Sequence, residues 1–305
     1  MRNDWRSGSR YWVLVALIAM LSACAAPIPH PQSPIPNITT GVNPTAWAKI
    51  PAGPFHFGQH AETRQVARPY EMMVTPTTNA QYAAYLNAAL KTGKIELDGK
   101  RVVGYYPGDV FHGHKHEEEI AAGDWPHVFL DDPSLRLTFD GAAFKVQAGY
   151  ENHPMTIVTW FGAQAYCEFY GGRLPSEAEW EKAARGEDER PFPWGDEIEL
   201  NHANFYASRD PFERAAGKQG DTTPVGFYNG KSYDGYQTRD GRSPYGLYDM
   251  AGNVWQWTAD IYEGIHYRTL RGGSKENYGY NLRVWTRNSV RPDYASPSVG
   301  FRCAR

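Results

Sequence analysis

The sequence has no surplus of positive charge. Its 31 Lys and Arg stand against 34 Asp and Glu, a formal net charge of -3 over 305 residues, so it lacks the field that would hold a phosphate backbone. Nucleic acid is therefore not an expected partner. The apolar run from Tyr11 to Leu21 is too short to cross a bilayer, which takes about 20 apolar residues. No period of about 20 to 50 residues recurs, which disfavours solenoids and propellers. Cysteine is scarce, with three in the whole chain, and none lies between Cys167 and Cys303.

Hydrophobic residues make up 41% of the chain, enough to bury a full core in one large domain or two small ones. Aromatics reach 14%, with 20 Tyr, 10 Trp, 30 Gly and 22 Pro. That balance points to many turns and ring-filled loops, hence a loop-rich mixed fold.

Arg2, Arg6 and Arg10 precede the Tyr11–Leu21 run, and Leu21-Ser22-Ala23-Cys24 follows it. The arrangement reads as a signal peptide over 1–23, and its last four residues resemble the bacterial lipobox, in which the cysteine becomes the lipidated first residue. An ordinary signal with an incidental Cys24 is the other reading, and both export the domain. Pro27, Pro29, Pro31, Pro34 and Pro36 then favour extended backbone and no packed core. The expected organisation is a tether over 24–46 and one domain over 47–305, held to a membrane by lipid and facing the periplasm or cell exterior.

With Cys24 assigned to lipid, Cys167 and Cys303 remain as an even pair in an oxidising compartment, where thiols tend to couple. Two buried free thiols are the alternative.

Ile50 to Gly58 alternates apolar residues with turn formers and predicts a first strand. Thr78 and Gln81 form a capping-box pattern before Tyr82, Tyr85, Leu86, Ala89 and Leu90, predicting a helix to Lys91 ended by Gly93. Thr159 caps a second helix that stops at Gly171-Gly172. Ser176 and Glu179 box a third that stops at Gly186. Beyond Arg190 no comparable apolar stripe appears, and short strands are expected, with Leu282 to Thr286 read as one.

Asn152-His153-Pro154-Met155 and Gly172-Arg173-Leu174-Pro175-Ser176-Glu177-Ala178-Glu179-Trp180 are followed by Tyr245-Gly246-Leu247-Tyr248-Asp249-Met250-Ala251-Gly252-Asn253-Val254-Trp255-Gln256-Trp257. Arg271-Gly272-Gly273-Ser274 and Gly300-Phe301-Arg302-Cys303 close the series. These ordered blocks resemble the formylglycine-generating enzyme, or sulfatase-modifying factor, family, from about residue 47 to the end. The resemblance implies an irregular, loop-rich α+β fold related to C-type lectins. It also implies a Cys167–Cys303 disulfide, in agreement with the cysteine count.

The family's enzymes bind copper through two cysteines soon after the Gly-Gly-Ser block, because thiolates hold Cu(I) tightly. Here Ser274 is followed by Lys275, Glu276, Asn277, Tyr278, Gly279, Tyr280, Asn281, Leu282 and Arg283, so copper is not expected and no catalytic residue is assigned. What remains is a candidate ligand cleft of Ser274, Trp255, Glu276, Asn277, Tyr278, Arg283 and Arg287, able to hydrogen-bond and stack. For Trp255 core packing is the equal alternative. The resemblance further implies calcium at Asp249, Gly252, Val254 and Gln256, where relatives often carry Glu at the position of Gln256. A second calcium site would use Asn204 and Phe205. The alternative is that Asp249 and Gln256 only hydrogen-bond the turn.

His112, His114 and His116 would share one face if their segment were extended and could then grip a transition metal. The adjoining Lys115, Glu117, Glu118 and Glu119 describe a solvated loop equally well. Three functions follow: a binding module for a peptide-like or glycan ligand, a divergent oxidoreductase acting on a periplasmic peptidic substrate such as a siderophore precursor, or a structural envelope lipoprotein. Relatives without the copper cysteines include domains of siderophore maturation and ergothioneine biosynthesis.

Overall fold

The computed structural model describes residues 35–305 apart from 207, 217–219 and 263. The expected leader, Cys24 and Pro27 to Pro34 lie outside the described residues. Ile35 and Ile38 pack against Phe212, Phe227 and Tyr228, and Thr40 Oγ1 donates to Val225 O at 3.1 Å. The end of the expected tether therefore belongs to the domain, because its isoleucines find an aromatic pocket that a composition-based reading ignores.

Strand β1 (Trp47–Ile50) precedes β2 (Gly53–Phe57), β3 (Glu62–Val66) and β4 (Tyr70–Met73). β1 pairs with β4 and β2 with β3, both antiparallel. The single strand expected over Ile50 to Gly58 is thus split, since Pro51 has no N–H for a ladder and Gly53 takes φ +123°.

Helix α1 (Asn79–Lys91) starts on the expected box: Thr78 Oγ1 accepts from Gln81 N while Gln81 Oε1 accepts from Thr78 N. Tyr82, Tyr85, Leu86 and Ala89 face the core, and Gly93 at φ +66° ends the run. Strands β5 (Glu96–Asp98), β6 (Arg101–Tyr106) and β7 (Gly123–Phe129) make an antiparallel sheet, and β8 (Leu137–Phe139) pairs with β9 (Phe144–Val146). Helices α2 (Trp160–Phe169) and α3 (Glu177–Arg185) carry the caps Thr159 and Ser176, with Gly171 and Gly186 at positive φ behind them.

The last third holds a short helix the sequence reading missed, α4 (Pro211–Ala216). Asp210 Oδ1 accepts from Phe212 N and Glu213 N, and proline is tolerated in a first turn, so Asp-Pro was the available signal. Strands β10 (Ser232–Tyr233) and β11 (Tyr236–Gln237) form a hairpin. β12 (Trp255–Tyr262), β13 (Tyr267–Arg271), β14 (Arg287–Val290) and β15 (Val299–Gly300) form a four-stranded sheet in the order β14-β13-β12-β15. Leu282 to Thr286 is not a strand. It ends a 3-10 turn (Gly279–Leu282) and continues as a turn, because Val284 N bonds Pro191 O and Val284 O accepts from Arg271, away from any ladder.

Cys167 on α2 and Cys303 form a disulfide across 136 residues. The tail it anchors runs along β4, with Met73 N donating to Cys303 O and Glu71 N to Arg305 O. A core of α1, α2, β12 and C-terminal tail side chains, Tyr82, Tyr166, Trp257 and Phe301 among them, packs around the bridge.

His127 and His153 are sealed in this interior. Burial pushes both imidazoles down to about 4. They stay neutral in the native chain, whereas an unfolded imidazole takes a proton below about pH 6.5. Their contribution is complete above that pH and is lost as pH falls toward 4. Thermal unfolding should therefore begin at lower temperature at pH 5 than at pH 7, and His127→Leu should flatten the decline. Equal pH slopes in the two proteins would contradict this.

Candidate functional site

The loop after β13 is turned by Gly272 and Gly273, at φ +97° and +71°. A Cβ on Gly273 would press on Asn281 O and the Leu282 side chain at 3.0 Å, so glycine is required there. Ser274 follows, buried, and both its N and its Oγ donate to Asn277 Oδ1 at 2.9 Å. Asn277 N returns a bond to Ser274 O, Asn277 O accepts from Tyr206 N, and Lys275 N donates to Asn253 O. Three loops are thereby stitched together at one place.

Lys275 is almost wholly buried and its Nζ meets the half-exposed Glu276 Oε1 at 2.9 Å. Burial acts to raise the Glu276 carboxyl, but Ser298 and the Lys275 ammonium hold it below the ordinary carboxylate range. Beside this pair three tyrosines stand in solvent: Tyr206 at 53%, Tyr278 at 56% and Tyr280 at 61% exposure. The Tyr206 and Tyr278 rings lie 5.0 Å apart, and Tyr278 and Tyr280 lie 6.5 Å apart and nearly parallel. The sequence reading named Tyr278 and missed Tyr206, Tyr280 and Lys275. The two-residue spacing of Tyr278 and Tyr280 was the signal for one of them.

Ser274, Glu276, Asn277 and Tyr278 are brought together as expected, but the other proposed cleft residues are not. Trp255 is buried in the central core, its backbone N on Ser298 O, so its ring is core filling. Arg287 reaches Glu177 at 3.4 Å and lines a cavity of about 270 Å3 with Phe57, Arg64, Arg271 and Trp285. Arg283 lies over the Trp285 ring. Arg287 points elsewhere because Glu177, the carboxylate that pairs with buried Arg271, also meets its guanidinium.

The turn expected to hold calcium curls through positive φ at Asp249, Gly252 and Asn253. Gln256 Oε1 accepts from Trp180 Nε1 at 3.0 Å and from Arg302 Nε at 2.7 Å, while its Nε2 donates to Asp249 O at 2.7 Å. The amide cannot be reversed, since its NH2 would then face two donors. Asp249 Oδ2 accepts from Gly226 N, and burial pushes this carboxyl up to about 6. Gly252 and Val254 offer carbonyls only. The one Gln256 oxygen is committed to Trp180 and Arg302, so of the expected calcium ligands the Asp249 carboxyl and the Gly252 and Val254 carbonyls remain, a set short of one side-chain oxygen. At the second expected site Asn204 Nδ2 donates to Asp221 O and Phe205 O accepts from Ser208 N.

The histidine segment is not extended. Gly113 and His116 take φ +74° and +71°, so the segment turns, although the His112 and His114 rings still lie 5.6 Å apart. Glu117 instead accepts from the backbone N–H groups of His112 and His114 and meets His266 Nε2 at 2.7 Å, while His266 Nδ1 meets Asp109 at 2.8 Å. Among the described residues no group of three or more His, Cys, Asp or Glu is placed to hold a metal.

These features define a class: an irregular α+β domain whose Gly-Gly-Ser loop carries exposed tyrosines and no thiol. Residues 37–305 match the model of the sulfatase-modifying factor enzyme 1-like domain, and the chain belongs to that family. It is 29% identical over 313 residues to a Mus musculus protein named inactive C-alpha-formylglycine-generating enzyme 2, across 95% of this chain and 92% of the relative. It is 32% identical over 267 residues to the formylglycine-generating enzyme of Streptomyces coelicolor, across 78% of each. The solved structure of PvdO from Pseudomonas aeruginosa shares the fold, with TM-score 0.54 and 23% identity over 85% of this chain and 93% of that one.

Proposed function

We propose that the chain is an exported lipoprotein whose domain binds a peptide-like or glycan ligand at the Ser274–Tyr280 loop and makes no formylglycine. The observation that carries this reading is the domain's thiol count. Its two cysteines, Cys167 and Cys303, are consumed by a disulfide, and no other lies between Trp47 and the C-terminus. A copper oxidase of the family's kind needs a pair of thiolates. The mouse relative's name, an inactive formylglycine-generating enzyme, is consistent with this.

The binding half rests on the tyrosines. Tyr206, Tyr278 and Tyr280 form one contiguous exposed patch of rings, and contiguous exposed patches mark interaction surfaces. Tyr, Asn and Gly together give rigid contact area with adaptable hydrogen bonds, and Asn277, Tyr278, Gly279 and Tyr280 supply that mixture. Peptide and glycan arrays probed with the full chain test it. Tyr278→Ala and Tyr280→Ala should each weaken a captured ligand by about tenfold, equivalent to about 1.4 kcal/mol, with unchanged circular dichroism. Undiminished binding by both variants would sink the site. Anchoring at Cys24 is checked separately: Cys24→Ala should move the chain out of the membrane fraction.

A further inference from the structure

We infer that the cavity between the β2–β3 hairpin and β14 is a second binding site, separate from the Ser274–Tyr280 loop, and that it takes a small molecule carrying one carboxylate.

The ion pairs around this cavity do not balance. Glu181 meets Arg185 and Arg271, while Glu177 meets Arg271 at 2.9 Å and Arg287 at 3.4 Å. Three guanidinium groups therefore share two carboxylates, and one positive charge is left over. Asp260, next in line, accepts the Glu177 N–H and pairs with none of the three among the described residues. Arg64, across the cavity, is answered by Glu62 at 3.7 Å and lies over the Phe57 ring. The surplus is not sealed in the core. Arg64 and Arg287 both line the cavity and are about half exposed, so a solute can reach it from their side.

Arg271 lines the same cavity from within the fold. Glu177, Glu181 and Val284 O take three of its N–H groups, and its Nε, also buried, has no partner among the described residues. Guanidinium forks match a planar carboxylate in shape and charge, and one such group supplies the single negative charge that the network lacks. At about 270 Å3 the cavity falls below the range of about 300 to 1,000 Å3 typical of drug-sized ligands, which sets the ligand's size. Phe57 and Trp285 give an apolar wall for the rest of it.

The test is calorimetric titration of the full chain with acetate, benzoate and N-acetylglycine at constant ionic strength, with inorganic phosphate and chloride as competing anions. At least one of the three carboxylates should bind, and Arg287→Gln should weaken it about tenfold, because that change removes the surplus charge while Arg271 keeps both of its carboxylates. Arg287→Lys retains the charge and should recover most of the affinity. Tyr278→Ala should bind undiminished, so this site stands or falls apart from the tyrosine loop. Should Arg287→Gln fail to fold, Arg64→Gln takes its place, with a severalfold loss expected. Binding of none of the carboxylates, preference for phosphate, or undiminished binding by the folded arginine variant would overturn the inference.

Discussion

Breaking the Cys167–Cys303 bridge is expected to remove about 5 kcal/mol of stability, the chain-entropy value for a closed loop of this length. The bridge spans 136 residues, so the unfolded chain without it regains freedom over almost half its length. Native domains hold only about 5 to 15 kcal/mol, and the bridge is therefore most of the margin or a large part of it. The C-terminal tail that it fastens supplies Arg302, the Phe301 ring and the β4 pairing. Urea titration of Cys167→Ala/Cys303→Ala should show the loss as a lowered midpoint, and dithiothreitol on the wild type should reproduce it. A shift worth less than about 1 kcal/mol would show that the bridge is redundant with packing.

Arg302→Met is the second large effect, expected at about 3 to 5 kcal/mol. Methionine fills comparable space, so the loss is not a cavity. It leaves the Met73, Val74, Tyr248 and Asp249 carbonyls without their donor and the buried Asp249 carboxylate without its counter-charge. The pH dependence carries a distinct signature. Burial already pushes Asp249 up to about 6, above the unfolded value of about 3.9, so the folded chain binds the extra proton. The penalty of ionising it is absent at low pH and grows as pH rises through the folded value. Arg302→Met should therefore lose more stability at pH 8 than at pH 5, measured by urea midpoint against the wild type. A pH-independent loss would mean that only hydrogen bonds were removed.

The helices were the part of the fold most legible in sequence. Thr78 with Gln81 and Ser176 with Glu179 each place two local hydrogen bonds, and Gly93, Gly171 and Gly186 end the runs through their own backbone freedom. Such signals need only neighbours along the chain. Strands were less legible: Leu282 to Thr286 has β-prone residues, yet Val284 satisfies its backbone against Pro191 and Arg271, contacts that no local pattern reveals. The disulfide was legible because cysteines are few and the family blocks placed them.

In the site, Ser274, Glu276, Asn277 and Tyr278 were legible as a contiguous loop. Arg287, close by in sequence, swings to Glu177 because that carboxylate is fixed by buried Arg271, and Arg283 lies over the Trp285 ring. Tyr206 arrives only through Asn277 O, across more than seventy residues. The histidine run failed for a local reason: its reading required extended backbone, and Gly113 in the middle offers the opposite.

The proposal that the Ser274–Tyr280 loop holds ligands without oxidising them rests on the domain's lack of a free thiol. The direct measurement is mass spectrometry of a sulfatase-type cysteine peptide incubated with the purified full chain, Cu(I) and oxygen. The account predicts that the peptide's cysteine emerges unchanged over many hours. Enzyme-dependent appearance of the peptide aldehyde would contradict it.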